Sequence, residues 1–299
     1  MKVILFFLLF FHSAFSQQKK YVVLDEINGE LLPFSTIKIV NKKIGVYGSE
    51  LGVFELPKSV QPTDSLEVSY IGYKTHKLSY QNLKDTVFLV PQINELNEII
   101  IYNDNWKTNI ISKIKGKTID WYVGYNEELT TLVKPNINCN NCILKSITIP
   151  IGKKTVKVFE GKPKVIYPKF ETNFELNLYS VVANEPSIVS LLNRPIIIKV
   201  NQDTSDEIVL DLSKENITLD NNGIYISVEI LTSLEEINGN SFLPSSKITN
   251  SKDKNSSTTS LYRNIFIDNK WRSIIQRPNF SLKEGSSLVY EIEVLINEN

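Results

Sequence analysis

The chain has 299 residues, 42% of them apolar, with 33 basic and 33 acidic side chains in balance. That length carries one large or two ordinary domains with a sizeable core, and the balance excludes an overall field that would gather nucleic acid or anionic lipid. Two histidines, two cysteines and one methionine leave little for a histidine-based metal site or a Ser-His-Asp machine.

Residues 1–16, MKVILFFLLFFHSAFS, have the three parts of a signal peptide. Lys2 supplies the positive end, and Val3 to Phe11 form an apolar run too short to cross a bilayer. Ala14-Phe15-Ser16 places small residues before a cut at Gln17. No Cys follows the run to take a lipid anchor, and no later segment has the length and apolarity of a transmembrane helix. The mature chain is expected in the periplasm, on the outer-membrane surface or outside the cell. Loss of Lys2 leaves 32 basic against 33 acidic residues, a net charge of −1, and loss of His12 leaves His76 as the one histidine.

Strand signals follow. YVVLD (Tyr21–Asp25) leads into an Asn28-Gly29 turn suited to positive φ. STIKIV (Ser35–Val40) alternates, with Ile37 and Ile39 opposite Thr36, Lys38 and Val40. GVFELP (Gly52–Pro57), DTVFLV (Asp85–Val90) and EIIIY (Glu98–Tyr102) continue the pattern. Short β-branched and aromatic runs broken by Gly, Pro, Asn and Asp predict an all-β sandwich. In DSLEVSYIGYKTHKL, residues Leu66, Val68 and Tyr70 share one face. Gly72 then interrupts the alternation, as a bulge or a close backbone approach does. Tyr73 is expected to turn back inward, with Lys74 and His76 left in solvent.

NDNWKTNIISKIKG places Trp106, Ile110, Ile111 and Ile114 at near-helical spacing, with Asn103 or Asp104 as cap and Gly116 as stop. It predicts a linker helix over 103–116. From Lys117 the strand pattern resumes, through ILKSITIPI and TNFELNLYSVV to SLVYEIEVLI. SSKITNSKDKNSSTTS (Ser245–Ser260) is polar and aperiodic and reads as a loop. The expected architecture is all-β: two β-sandwich domains, 20–101 and 117–297, joined by a short linker helix.

The ordered set Asn28-Gly29, Pro33, the Gly45 region, Gly52 before VFEL, SYIGY (Ser69–Tyr73) and the closing LNEIII (Leu96–Ile101) resembles the carboxypeptidase-regulatory-like domain over about residues 20–101. The resemblance implies a transthyretin-like β-sandwich in which Gly29, Pro33, Gly52, Tyr70, Gly72 and Tyr73 are structural. Such modules occur in envelope and secreted proteins of one large group of Gram-negative bacteria, and as the N-terminal extension of their TonB-dependent nutrient receptors. It implies a scaffold and not a peptidase: HxxE is missing, and a single histidine cannot complete a His₂Glu zinc site. The second half is similar to a jelly-roll-like β domain of no established activity. Pro186, Leu191, Leu192, Asp211, Leu212, Ser213 and Glu229 occupy its characteristic places.

Chemistry-bearing residues are sparse. Cys139 and Cys142, in NCNNC, could form a redox pair, half of a zinc site or a disulfide; export to an oxidising compartment favours the disulfide. Acidic clusters at Asp203–Glu207 and Asp220–Gly223 read as turns, or as oxygen-rich calcium loops. Trp121, Tyr122 and Tyr125, with Trp271, read as core and edge packing or as a sugar-stacking platform. GxSxG and phosphate loops are absent, and no cofactor or metal is implied. The expected function is that of an exported, non-catalytic envelope protein that binds or scaffolds a protein or glycan partner. The alternative is a carboxylate-based glycan or peptide hydrolase in the second domain, marked by two carboxyls converging in a cleft. Exported protein is expected to begin at Gln17 on N-terminal sequencing; an intact Met1 would contradict the leader.

Overall fold

The structure is a computed structural model that describes residues 18–92, 106–112, 117–122, 124–139, 142–159, 161–231, 243–249, 259–277, 282 and 286–297. The leader, the EIIIY segment and LNEIII lie outside the described residues. The fold is all-β, and helix is confined to single 3₁₀ turns among the described residues.

The N-terminal half contains β1 (Lys20–Asp25), β2 (Thr36–Ile39), β3 (Ile44–Tyr47), β4 (Val53–Glu55), β5 (Ser65–Ser69), β6 (His76–Ser79) and β7 (Thr86–Leu89). They form a three-stranded sheet, β4-β1-β7, and a four-stranded sheet, β3-β2-β5-β6. Alternation selects the inner faces. Val23, Ile37, Ile39, Leu66, Val68 and Leu89 are fully buried between the sheets.

The C-terminal half begins with β8 (Trp106–Ser112), β9 (Thr118–Tyr122), β10 (Glu127–Val133) and β11 (Cys142–Gly152). Then come β12 (Thr155–Phe159), β13 (Lys162–Ile166), β14 (Glu171–Tyr179), β15 (Val181–Val182), β16 (Glu185–Pro186) and β17 (Ile196–Asn201). β18 (Glu207–Asp211), β19 (Thr218–Leu219), β20 (Ile224–Ile230) and β21 (Ser245–Thr249) follow. β22 (Ser260–Asn264), β23 (Arg272–Ser273), β24 (Ser287–Leu288) and β25 (Glu291–Asn297) complete the chain. One sheet runs β17-β14-β20-β10-β22-β23; a second runs β24-β21-β11-β25-β8, with β18 and β19 on β11 and β9 on β21. Their inner faces share a core that includes Leu129, Leu144, Ile147, Leu176, Ile226 and Ile292.

Two expectations are corrected. Residues 106–112 are a strand, not part of a linker helix, and pair antiparallel with β25. Thr108, Ile110 and Ile111 are β-branched residues that suit a ladder, and the available edge of β25 outweighs a helical spacing carried by four side chains. The caps assigned to that helix lie outside the described residues. Residues 245–249, read as loop, form β21 between β9 and β24; small polar Ser and Thr side chains mask a strand that tertiary pairing selects.

The two halves meet face to face. Phe266, fully buried, packs with Tyr47 and Leu231, supported by Phe34, Ile197 and Ile265. Gly45 makes this possible, since a Cβ there would lie 2.3 Å from the Phe266 ring. Gly72 plays a related part. β5 ends at Ser69, and Gly72 sits beyond it at φ +81, where a Cβ would lie 2.2 Å from the Asn193 carbonyl oxygen of the other half. The close approach is therefore to the second half, not to a facing strand of the same sandwich. Tyr70 and Tyr73 turn onto the N-terminal core, edge to face at 5.4 Å, and the Tyr73 hydroxyl donates to Asp25 at 2.7 Å. Lys74 and His76 are exposed. Gly52, at φ +66, has the Val23 oxygen 3.1 Å and the Leu32 oxygen 3.3 Å from its Cβ position, and Pro33, which follows Leu32, is half-buried.

Gly29 offers an internal control: it has φ +72 but open space around its Cβ position. Gly29→Ala is expected to cost about 1 kcal/mol, the ordinary penalty of a side chain at positive φ. Gly72→Ala is expected to cost two to three times as much, roughly 2–3 kcal/mol, because the Asn193 backbone must also move. Equal losses in thermal melts would place Gly72 away from the contact between the halves.

Candidate functional site

Register across the six-stranded sheet places four charged residues in one row. Arg263 on β22 opposes Glu128 on β10, Glu128 opposes Glu229 on β20, and Glu229 opposes Glu175 on β14. Directly opposed side chains on antiparallel strands stand about 5 Å apart at Cβ. The next row on the same face is polar, with Thr130, Ser227 and Asn177, and the third carries Leu132, Tyr225 and Tyr179. The N-terminal half covers this face at the glutamate row through Tyr47, and Val181 and Trp271 pack on the third row, so both sides of β10 and β20 are buried. The three glutamates keep only 0%, 5% and 9% exposure at Glu128, Glu229 and Glu175.

The partners are shared unequally. Glu128 takes the guanidinium: Arg263 Nε donates at 2.6 Å, and its terminal nitrogen also pairs with the carboxylate. Ser227 Oγ at 2.6 Å and the Tyr179 hydroxyl at 2.8 Å donate to its other oxygen. Glu229 accepts the Tyr47 hydroxyl at 2.7 Å, and Glu175 accepts the Asn177 amide at 3.2 Å. Burial, and then repulsion from Glu128, push the Glu229 carboxyl up to about 7. Burial, and then the neighbouring Glu229, hold Glu175 well above the usual carboxylate range. Both carboxyls therefore hold their protons above the ordinary carboxylate range, and Glu229 ionises before Glu175.

Glu175 and Glu229 line a cavity of about 410 Å³ between the halves. Its floor also presents Asn177, Tyr179 and Arg263; its roof is the Ser69–Tyr73 turn with Thr36, Thr75 and Gln92. Burial, with Glu175 nearby, pushes the Tyr70 hydroxyl up to about 12. Among the described residues no three His, Cys, Asp or Glu side chains converge as metal ligands.

The aromatic residues singled out from the sequence have separate surroundings, and the Tyr122 side chain lies outside what is described. Trp121 is buried on β9, with the Arg277 guanidinium 5.6 Å from its ring centroid, and Arg277 is held by Glu127 at 2.5 Å. Tyr125 is half-buried, and burial raises its hydroxyl pKa. Trp271 lies over the Arg263 guanidinium at 4.3 Å and edge-on to Tyr179 at 6.0 Å. The Trp121 indole thus faces Arg277, which closes a 3₁₀ turn, and the Trp271 indole faces Arg263 on β22. Cys139 and Cys142 are joined by a disulfide, and the Cys139 amide donates to Asn221 at 2.9 Å. The two acidic clusters form tight turns: Asp220 accepts the Asn222 amide, and Asn201 accepts the Asp203 and Thr204 amides.

Sequence reasoning missed Glu128, Glu175, Arg263, Tyr47 and Tyr179 as site residues, and placed Glu229 only by resemblance. A signal was present in single charged residues inside otherwise apolar strands, FELNLY, ISVEIL and SLYRNIF. No family model, curated protein or solved structure matches the chain.

The pair has a pH signature whose sign is fixed. Glu175 and Glu229 bind protons more tightly folded than unfolded. Their contribution to stability is therefore complete below the ordinary carboxylate range and is lost as pH rises through about 7 for Glu229. The groups facing them are Glu128, Arg263, Tyr179, Tyr47 and Tyr70. Glu229→Gln and Glu175→Gln mimic the protonated forms. Each is expected to raise stability in mildly alkaline buffer, by up to roughly 3 kcal/mol for Glu229, and to narrow the gap between acid and alkaline melting temperatures. An unchanged gap in both variants would contradict the raised carboxyl pKa values.

Proposed function

We propose that this is an exported envelope protein that binds a partner in the cleft between its two halves, without catalysing a reaction. Its N-terminal half acts as a carboxypeptidase-regulatory-like scaffold that roofs the binding floor of a jelly-roll-like C-terminal half. The carrying observation is the cavity lined on its floor by Glu175, Glu229 and Asn177 and on its roof by Tyr70 and Tyr73. Carboxyl and amide groups opposite aromatic rings suit a hydroxyl-rich glycan, which hydrogen-bonds at its edges and packs apolar faces on rings. The leader supports export, and the two facing sheets of the N-terminal half support the scaffold assignment.

The Glu175–Glu229 pair also favours a second reading. Two neighbouring carboxyls that share a proton can act as acid and base on a bound water, as in aspartic proteases. Both project from one sheet floor, so they reach a ligand from the same side; this arrangement suits such a dyad better than carboxyls flanking a glycosidic bond.

Titration of the full chain with soluble oligosaccharides, followed by calorimetry, tests the proposal. Asn177→Ala and Glu175→Ala are expected to weaken binding by tenfold or more, about 1.4 kcal/mol, while Trp271→Ala alters it less. Binding indifferent to the cleft variants would overturn the assignment. Turnover of a peptide or polysaccharide that disappears in both Glu175→Gln and Glu229→Gln would replace it with the hydrolase.

A further inference from the structure

The neutral balance of the chain conceals one local concentration of charge. Strands β12 and β13 form a two-stranded sheet of their own, closed at Gly161 with φ +75. Lys154, Lys157, Lys162, Lys164 and Lys169 on and beside this hairpin are all exposed. Lys153 at its base pairs with Asp206, whereas none of these five lysines has an ion pair with a described residue.

Register sorts the hairpin into two faces. Lys157 directly opposes Lys164, and Lys162 lies two residues from Lys164 on the same side. Pro163 and Val165 alternate to the opposite side, and the following Tyr167 continues their parity. Val165 is 49% and Tyr167 66% exposed. Like charges directly opposed across a strand pair oppose folding of the hairpin, and the apolar residues opposite them remain in water. Both features are unfavourable for the isolated chain, and one kind of partner relieves both.

We propose that the β12–β13 hairpin is a docking element for an anionic lipid surface. Pro163, Val165 and Tyr167 enter the boundary between headgroups and acyl chains, and the lysine face lies within the layer of phosphates. An exposed tyrosine flanked by lysines is the side-chain pairing that such an interface rewards on both sides. A soluble polyanion would engage the lysines but gain nothing from the apolar face, which decides for a lipid surface. This docking is independent of the cleft, so the two can fail separately.

Co-sedimentation of the full chain with phosphatidylcholine vesicles and with mixed phosphatidylcholine–phosphatidylglycerol vesicles tests it. Residues 1–16 are common to every variant, so the hairpin is read from differences between variants. Binding to the anionic vesicles is expected to exceed binding to the zwitterionic ones. That excess should fall roughly fivefold for each of Lys157→Ala and Lys164→Ala, weaken with added salt, and fall again in Tyr167→Ser. Far-ultraviolet circular dichroism should be unchanged, because these side chains are exposed. Vesicle binding that ignores the lysine and tyrosine variants would overturn the proposal. So would heparin binding that matches vesicle binding and is untouched by Tyr167→Ser, which would assign the hairpin to a soluble polyanion.

Discussion

One guanidinium cannot satisfy three carboxyls, and the contact between the two halves is built around that shortage. Arg263 is committed to Glu128, whose remaining acceptor positions are taken by Ser227 and Tyr179. Glu229 and Glu175, next along the row, face the covered side of the sheet with one neutral donor each. Burying an unpaired charge is costly enough that a carboxyl protonates instead. The row therefore ends in two carboxyls whose pKa values burial raises, at the point where the halves leave a cavity.

The same covering explains the pattern of burial and the placement of two glycines. β20 is buried at every position, because one face meets the C-terminal core and the other meets Tyr47 of the N-terminal half at Glu229 and a cluster of Leu132, Tyr179, Leu261 and Trp271 at Tyr225. Tyr47 links the halves both ways, with its ring beside Phe266 at 5.3 Å and its hydroxyl on Glu229. Gly45 and Gly72 allow the backbones and rings to come this close.

The sequence made the strand class and the inner faces of the N-terminal sheets legible, because β2 and β5 alternate with a period of two and bury one face each. Gly72 was legible as a close approach, but the partner was not, since Asn193 is distant in sequence and meets it only through docking of the halves. The 106–112 strand was hidden by isoleucine spacing that also fits a helix; only the partner strand at the end of the chain decides between them. Trp121 and Trp271 were conspicuous by residue type, yet both cover arginines. The carboxyl row was illegible for a different reason. A glutamate within an apolar strand looks like an ordinary solvent-facing position until the covering half is known, and four strands far apart in sequence must be placed in register before the row exists.

The protonation state of the pair is the most direct measure of this account. Carbon-13 chemical shifts of the glutamate side-chain carboxyls, followed through a pH titration of the folded chain, report it residue by residue, with Glu175→Gln and Glu229→Gln providing the assignments. Glu229 should titrate near 7, and Glu175 above the ordinary carboxylate range, with Glu229→Gln lowering Glu175. Both residues titrating with the exposed glutamates, near the ordinary 4.5, would contradict a dry carboxyl pair between the halves and the binding cleft built on it.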